Sequence, residues 1–265
     1  MNIGRLRALI GKELLDAARN GAALWPVAIS TVVLLALPFV IAIVLPATTG
    51  RQLGDDGDLL RISAVVGHGE LTANGRVQLF MFQQFLMVFL LMPITGAMAL
   101  AAHAIVGEKM ARTLEPLLAT PITTAELLVG KVLGSLIPTL AIALASLVVY
   151  LLLIAMSAEA GVIHAMLNAR TLVLTALVGP AAALVSLQAA IVISSRVSDA
   201  RTAQQFGVLI IVPLAAVLVA QFTGSLWLSA AALVFVALGL FGIWMLLTLF
   251  SVAMFEREAI LTRWK

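Results

Sequence analysis

Gly107-Glu108-Lys109-Met110-Ala111-Arg112-Thr113-Leu114-Glu115-Pro116-Leu117-Leu118-Ala119-Thr120-Pro121-Ile122-Thr123 is a charged stretch set between two apolar runs, residues 79–102 and 127–154. The stretch is too polar for hydrocarbon. Each flanking run is long enough to cross a bilayer as an α-helix, which takes about 20 residues. Backbone groups in lipid have to be satisfied within their own segment, so the runs are expected to be helices. A β-barrel would need shorter segments alternating in polarity, and none is present. The stretch therefore reads as a surface segment hung from two transmembrane helices, and the fold class as an all-α, polytopic membrane protein.

The same pattern continues outward along the 265 residues. The chain is 62% hydrophobic and 11% charged, with a mean hydropathy of +1.13. Soluble domains run near 45–50% apolar and about 25% charged. Six transmembrane helices are expected, over residues 25–46, 79–102, 127–154, 171–194, 206–221 and 228–255. The fifth is short and merges with the sixth through Phe222-Thr223-Gly224-Ser225, which reads either as a tight external turn or as a re-entrant element. The first apolar run is too long for a signal-peptide core and is expected to be retained.

Lysine and arginine set the orientation. Arg5, Arg7, Lys12, Arg19, Lys109, Arg112, Lys131, Arg196, Arg201, Arg257, Arg263 and Lys265 fall on one side, against Arg51, Arg61, Arg76 and Arg170 on the other. Positive charge favours the cytoplasmic side, so both termini are expected there. That bias also accounts for the net charge of +3 without a nucleic-acid partner. Residues 1–24 form an amino-terminal cytoplasmic element and 25–265 the transmembrane domain. The latter carries an external loop at 47–78 and a cytoplasmic segment at 107–124. The chain has no cysteine, which excludes disulfides and thiolate metal sites.

Residues 5–20 have helical periodicity. Leu6, Leu9, Ile10, Leu14 and Ala17 share one face, and Arg5, Lys12, Asp16 and Arg19 gather on another. Such a helix can lie in the membrane interface as an amphipathic elbow leading into the first span. Glu13 falls on the apolar arc, where an acid is unfavourable unless it is paired, so it is expected to meet a cation from another segment, with Arg112 the candidate.

In the charged stretch, Pro116 pushes Glu115 out of helical dihedrals and marks a break. Leu117 and Leu118 follow as an apolar tip, and Pro121 breaks the chain again. Thr123 and Glu126 have the spacing of a capping box, with Ile122 and Leu127 placed for a hydrophobic staple. The product is a short, tightly punctuated element, charged on its flanks, which suits either a part that transmits motion or a short reverse turn with incidental charges.

The run from Glu108 to Leu118, then Ala119-Thr120-Pro121 and Gly130-Lys131, resembles the permease subunits of type 2 ATP-binding cassette (ABC) transporters. So does Lys12-Glu13-Leu14 followed by Arg19-Asn20, and the likeness covers the whole six-span layout. Ala111-Arg112 departs from the more usual basic residue and glycine before Thr-Leu-Glu. The external segment between the last two spans is also short for the family. The resemblance implies a permease domain over 25–265, in a cell inner (cytoplasmic) membrane as a multi-pass protein. It implies cytoplasmic ABC ATPase subunits as partners, docking on Glu108, Lys109, Arg112, Thr113, Leu114, Glu115, Leu117 and Leu118, with Lys12 and Glu13 as elbow-helix coupling residues. It also implies a second permease chain, as a homo- or heterodimer, and export driven by ATP and Mg held on the partner ATPase.

Other classes were weighed on their chemistry. An ATPase would carry a G-x-x-x-x-G-K-[ST] loop. Here Gly130-Lys131 is followed by Val132 and position 125 is Ala, so the chain is expected to be no enzyme and to hold no cofactor. An ion-coupled secondary carrier would hold titratable residues within its spans, and the predicted span cores contain no acid. An integral-membrane enzyme would want clustered acids or histidines. His68-Gly69-Glu70 supplies too few ligands for a metal, and Asp55-Asp56-Gly57-Asp58 lacks the spacing of a calcium loop. Gln83, Gln84, Phe85 and Met87 on the second span are candidates for a substrate path, or equally for buried packing. The uncharged span cores favour an apolar or amphipathic cargo and contact with membrane lipids.

Overall fold

The computed structural model describes residues 3–19, 21–67, 70–110, 123–196 and 208–254, and among them every regular element is a helix. In chain order these are α1 (Ile3–Arg19), α2 (Gly21–Phe39), α3 (Leu45–Thr49), α4 (Gly57–Ser63), α5 (Ala73–Val88) and α6 (Leu91–Met110). Then come α7 (Thr124–Ser157), α8 (Val162–Met166), α9 (Ala169–Val173), α10 (Gly179–Arg196), α11 (Val208–Phe222) and α12 (Ala230–Met254).

Among the described residues five stretches are long and apolar enough to cross a membrane: Leu24–Thr49, Ala73–Ala101, Glu126–Ser157, Ala169–Ser194 and Ala230–Val252. They match five of the six expected spans. The remaining expected span corresponds to α11, which has 15 described residues, short of the roughly 20 that a crossing helix needs.

Proline explains where the long helices change character. A proline ring clashes with the carbonyl four residues back, and a widened turn accommodates the clash. Pro46 and Pro180 each lie four residues beyond a π-helical turn residue, in the turns Val40–Val44 and Leu174–Val178. Pro93 stands four residues after Phe89, where α5 gives way to α6.

The second span begins earlier than its apolar pattern suggests, at Ala73 rather than residue 79. Thr72 caps it, its Oγ1 accepting from Gly75 N at 2.9 Å. Its polar first turns are satisfied by Glu159, whose carboxylate accepts from Thr72 Oγ1 and from Asn74 Nδ2 (2.6 Å) and whose N–H donates to Gln78 Oε1 at 3.0 Å. The preceding loop is partly helical, and its acids serve as caps. Asp56 Oδ1 accepts from Asp58 N and Leu59 N, and Asp55 Oδ2 from Gln52 N.

α5 is the central pillar, with every residue from Val77 to Met87 buried. Tyr150 of α7 closes one side of it. Its ring packs against Phe39, Phe82 and Phe89, and its hydroxyl donates to Phe82 O at 2.9 Å. At the other end of the bundle α6 and α10 pack through small residues, including Ala97, Ala101, Ala183 and Ala190. Such residues let helix backbones approach closely, which matters in lipid because van der Waals packing drives association there. Gln188 Nε2 donates to Ser251 Oγ at 2.6 Å, tying α10 to α12. The outer face of α12, with Phe235, Leu238, Met245 and Leu246, is exposed and apolar.

The link after α11 turns sharply at its start. α11 ends at Phe222, Gly224 adopts φ +68, and α12 starts at Ala230 with no helix between.

Candidate functional site

Two polar constellations sit at opposite ends of α7. At the Thr123 end, α1 lies along α7, and the contact is built on two glycines. A Cβ added at Gly130 would come within 2.3 Å of Leu9 Cδ2, and one at Gly134 within 2.3 Å of Glu13 Cβ. Leu9 and Glu13 are four apart on α1, as Gly130 and Gly134 are on α7, so the two residues drop into two consecutive gaps of the same helix face. Glu13 Oε1 reaches Lys131 Nζ at 3.2 Å and Lys12 Nζ at 3.3 Å. Glu13 is 5% exposed and Lys131 2%. Burial removes water that would screen such a pair, so the carboxylate and ammonium have to satisfy each other.

The expectation that Glu13 meets a cation from another segment thus holds, with Lys131 as a partner; Arg112 lies outside the described residues. The apolar arc of α1 faces α7 rather than lipid alone, with Leu9 buried and Leu6, Ile10, Leu14 and Ala17 partly covered. Lys12 stays half-exposed and also reaches Asp16 Oδ2 at 3.5 Å.

The charged segment is described at its two edges. α6 carries the backbone of Glu108 and Lys109 to its end at Met110. Arg112, Thr113, Leu114, Glu115, Leu117 and Leu118 lie outside the described residues, as does Ile122 of the expected staple. On the far edge the capping box forms as its spacing predicts: Thr123 Oγ1 accepts from Glu126 N at 3.2 Å, and Glu126 Oε2 accepts from Thr123 N at 3.0 Å. α7 therefore starts at a defined residue and runs without interruption to the glycine seat of α1.

At the Ser157 end the notable residue is Arg170, by sequence a loop charge at the edge of an apolar run. It opens α9 behind the cap Asn168, whose Oδ1 accepts from Thr171 N at 2.9 Å. The side chain turns inward and is 7% exposed. Its Nε donates to Leu228 O (3.0 Å), Nη1 to Gln83 Oε1 (3.1 Å) and Nη2 to Gln221 Oε1 (3.0 Å). The guanidinium also lies 4.0 Å over the Trp227 ring, a favourable cation–π distance. Gln84 Nε2 donates to Gln221 O at 2.6 Å.

The candidate path residues are therefore all in the interior. Gln83 and Gln84 are engaged in this network, Phe85 packs edge-on to Phe222, and Met87 lies in the apolar core.

The family model described as ABC-2 type transporter matches residues 4–217, most of the chain, including the Glu13–Lys131 pair and, of the other constellation, Gln83 and Arg170. The chain belongs to that family. No curated protein matches it. It is the membrane-spanning permease component of an ABC transporter, a multi-pass protein rather than a catalyst.

Within the permease, a signal for Lys131 was legible in the sequence: an acid on an apolar arc, and a Gly-Lys pair opening a Gly-x-x-x-Gly stretch. Arg170 gave none, because an arginine flanking an apolar run usually marks a membrane boundary. Its inward turn depends on acceptors from α5, α11 and the link before α12, which are distant in sequence.

Proposed function

We propose that the chain is one half of an ABC exporter of the cell inner membrane, with six spans and both termini cytoplasmic. Two permease chains form the pathway, and separate ATPase subunits holding ATP and Mg dock on the segment 107–124. In this reading Glu108, Lys109, Arg112, Thr113, Leu114, Glu115, Leu117 and Leu118 contact the ATPase or support the contact. Gln83, Gln84, Phe85 and Met87 on α5 line the substrate path once the transport cycle loosens that pillar.

The observation that carries the proposal is the clamped elbow. From Thr123 to Lys131 is about 12 Å along one unbroken helix at 1.5 Å per residue. Any force applied at the segment is delivered through the capped start of α7 to the buried Glu13–Lys131 pair and so to α1. A segment without such a rigid exit would absorb the motion. Lys12 and Glu13 are the elbow's coupling residues in this scheme.

The test is co-expression with candidate ATPase subunits and purification in detergent. A stable complex that is lost when Leu117→Asp and Leu118→Asp are combined is the expected result. A folded chain that retains no ATPase overturns the proposal and returns the segment 107–124 to a simple turn.

A further inference from the structure

We propose that Arg170, together with Gln83 and Gln221, receives the anionic headgroup of an amphipathic cargo at the external end of the permease. The proposal deepens the exporter reading by naming a cargo class, and rests on it for the direction of transport.

Arg170 is a permanent cation in a buried place, and each of its three hydrogen bonds ends on a neutral oxygen. Among the described residues its contacts include no carboxylate. A buried charge is costly unless compensated, and amide and carbonyl oxygens only partly compensate a full positive charge. If packing alone were required, a long apolar side chain would serve without that cost, because replacing buried ionic groups by apolar ones is often neutral or stabilising.

The surroundings carry unused hydrogen-bonding capacity. Gln221 Nε2 and Thr171 Oγ1, both donors, are buried without partners among the described residues. Gln84 Oε1 is in the same condition. Buried polar groups are otherwise almost always paired, so the free amide donor of Gln221, on the same side chain that holds the guanidinium, suits an oxygen atom that enters during the cycle. A guanidinium fork matches a phosphate or carboxylate in a bidentate manner. The two glutamine side chains that now hold it are flexible enough to yield their place.

The site continues outward and sideways. On α5, Arg76, Phe80 and Gln83 are spaced four and three apart and share one face. Arg76, two turns nearer the start of the helix, has a buried Nε without a partner. Phe80 stacks on Trp227 at 6.1 Å, the same ring that underlies Arg170. An anionic head on Arg170 would thus leave its chain against Phe80, Trp227 and the Phe85–Phe222 pair.

The experiment uses the full chain in maltoside micelles, without ATPase subunits, so its outcome is independent of whether an ATPase docks. Trp25, Trp244 and Trp264 are changed to Phe, leaving Trp227 as the only emitter. Dodecyl phosphate is titrated beside dodecanol and inorganic phosphate. A saturable change in Trp227 emission with dodecyl phosphate, absent with dodecanol, is expected. If inorganic phosphate alone saturates the same signal, the site takes free anions and the amphipathic cargo is overturned. Arg170→Gln, which keeps a hydrogen-bonding amide, should weaken dodecyl phosphate binding at least tenfold.

Gln221→Glu guards against a folding defect in that variant. It places a carboxylate on Arg170 from within the chain, and should raise the melting temperature while also weakening binding at least tenfold. Unchanged binding in a folded Gln221→Glu protein, or equal responses to dodecyl phosphate and dodecanol, would overturn the site and leave Arg170 as a structural latch.

Discussion

Gly134→Ala tests the seat of α1 most directly, because it adds one methyl group and no charge. The new Cβ would stand 2.3 Å from Glu13 Cβ and 3.0 Å from Glu13 Cγ. Carbon atoms in contact sit about 3.5–4.0 Å apart, so α1 has to retreat by at least about 1 Å. The obstructing atom is a Cβ, fixed to the α1 backbone, so no side-chain rotation relieves the clash. Retreat also lengthens the 3.2 Å contact from Glu13 Oε1 to Lys131 Nζ.

Overpacking of this kind costs about 1–3 kcal/mol, which moves the docked–undocked equilibrium of α1 roughly 5- to 150-fold, at tenfold per 1.4 kcal/mol. Trypsin reads that equilibrium at Arg5, Arg7, Lys12 and Arg19, all on α1. When opening is fast relative to cleavage, the cutting rate follows the open population.

Gly130→Ala should act in the same direction but less strongly, since its closest clash is with Leu9 Cδ2, the far end of a flexible side chain. Gly239→Ala is the control. Its Cβ meets nothing within 4 Å, and helix propensity alone should stabilise α12 by about 1 kcal/mol. If the amino-terminal sites of Gly134→Ala are cut no faster than those of Gly239→Ala, the glycine seat does not hold α1 and the clamp argument fails.

Other outcomes follow from the same geometry. Glu13→Gln removes one charge of the buried Glu13–Lys131 pair, a change that typically costs about 3–5 kcal/mol. It should speed tryptic release of α1 at least a hundredfold, and the exchange Glu13→Lys with Lys131→Glu should recover much of the loss. Equal rates for the single and exchanged variants would show that the pair is not coupled. Tyr150→Phe removes the donor to Phe82 O while keeping the ring packing. It should cost about 1–3 kcal/mol and lower the melting temperature without changing cleavage at α1, and a melting temperature at the parent value would contradict the buried hydrogen bond.

How far the sequence reaches differs between the two ends of the molecule. Around α7 it reaches far. The capping box at Thr123 and Glu126 and the amphipathic arc of α1 are local patterns, set by side chains three or four residues apart, and they appear where the spacing places them. The start of α5 reads less well, because Asn74 and Gln78 look like loop residues until Glu159, 81 residues beyond Gln78, arrives to satisfy them.

By itself the sequence determined that the chain is a helical membrane protein of the ABC permease kind, and where most of its spans fall. Those properties follow from runs of apolar residues and from the demand that backbone groups in lipid bond within their own helix. Tertiary structure alone decided which buried charges meet. Glu13 finds Lys131, 118 residues away, and Arg170 turns inward to Gln83, Gln221 and the carbonyl of Leu228. A charge in a low-dielectric interior takes its partner from whatever packing brings within about 3 Å, a choice that the local patterns around Glu13 and Lys131 narrow without fixing.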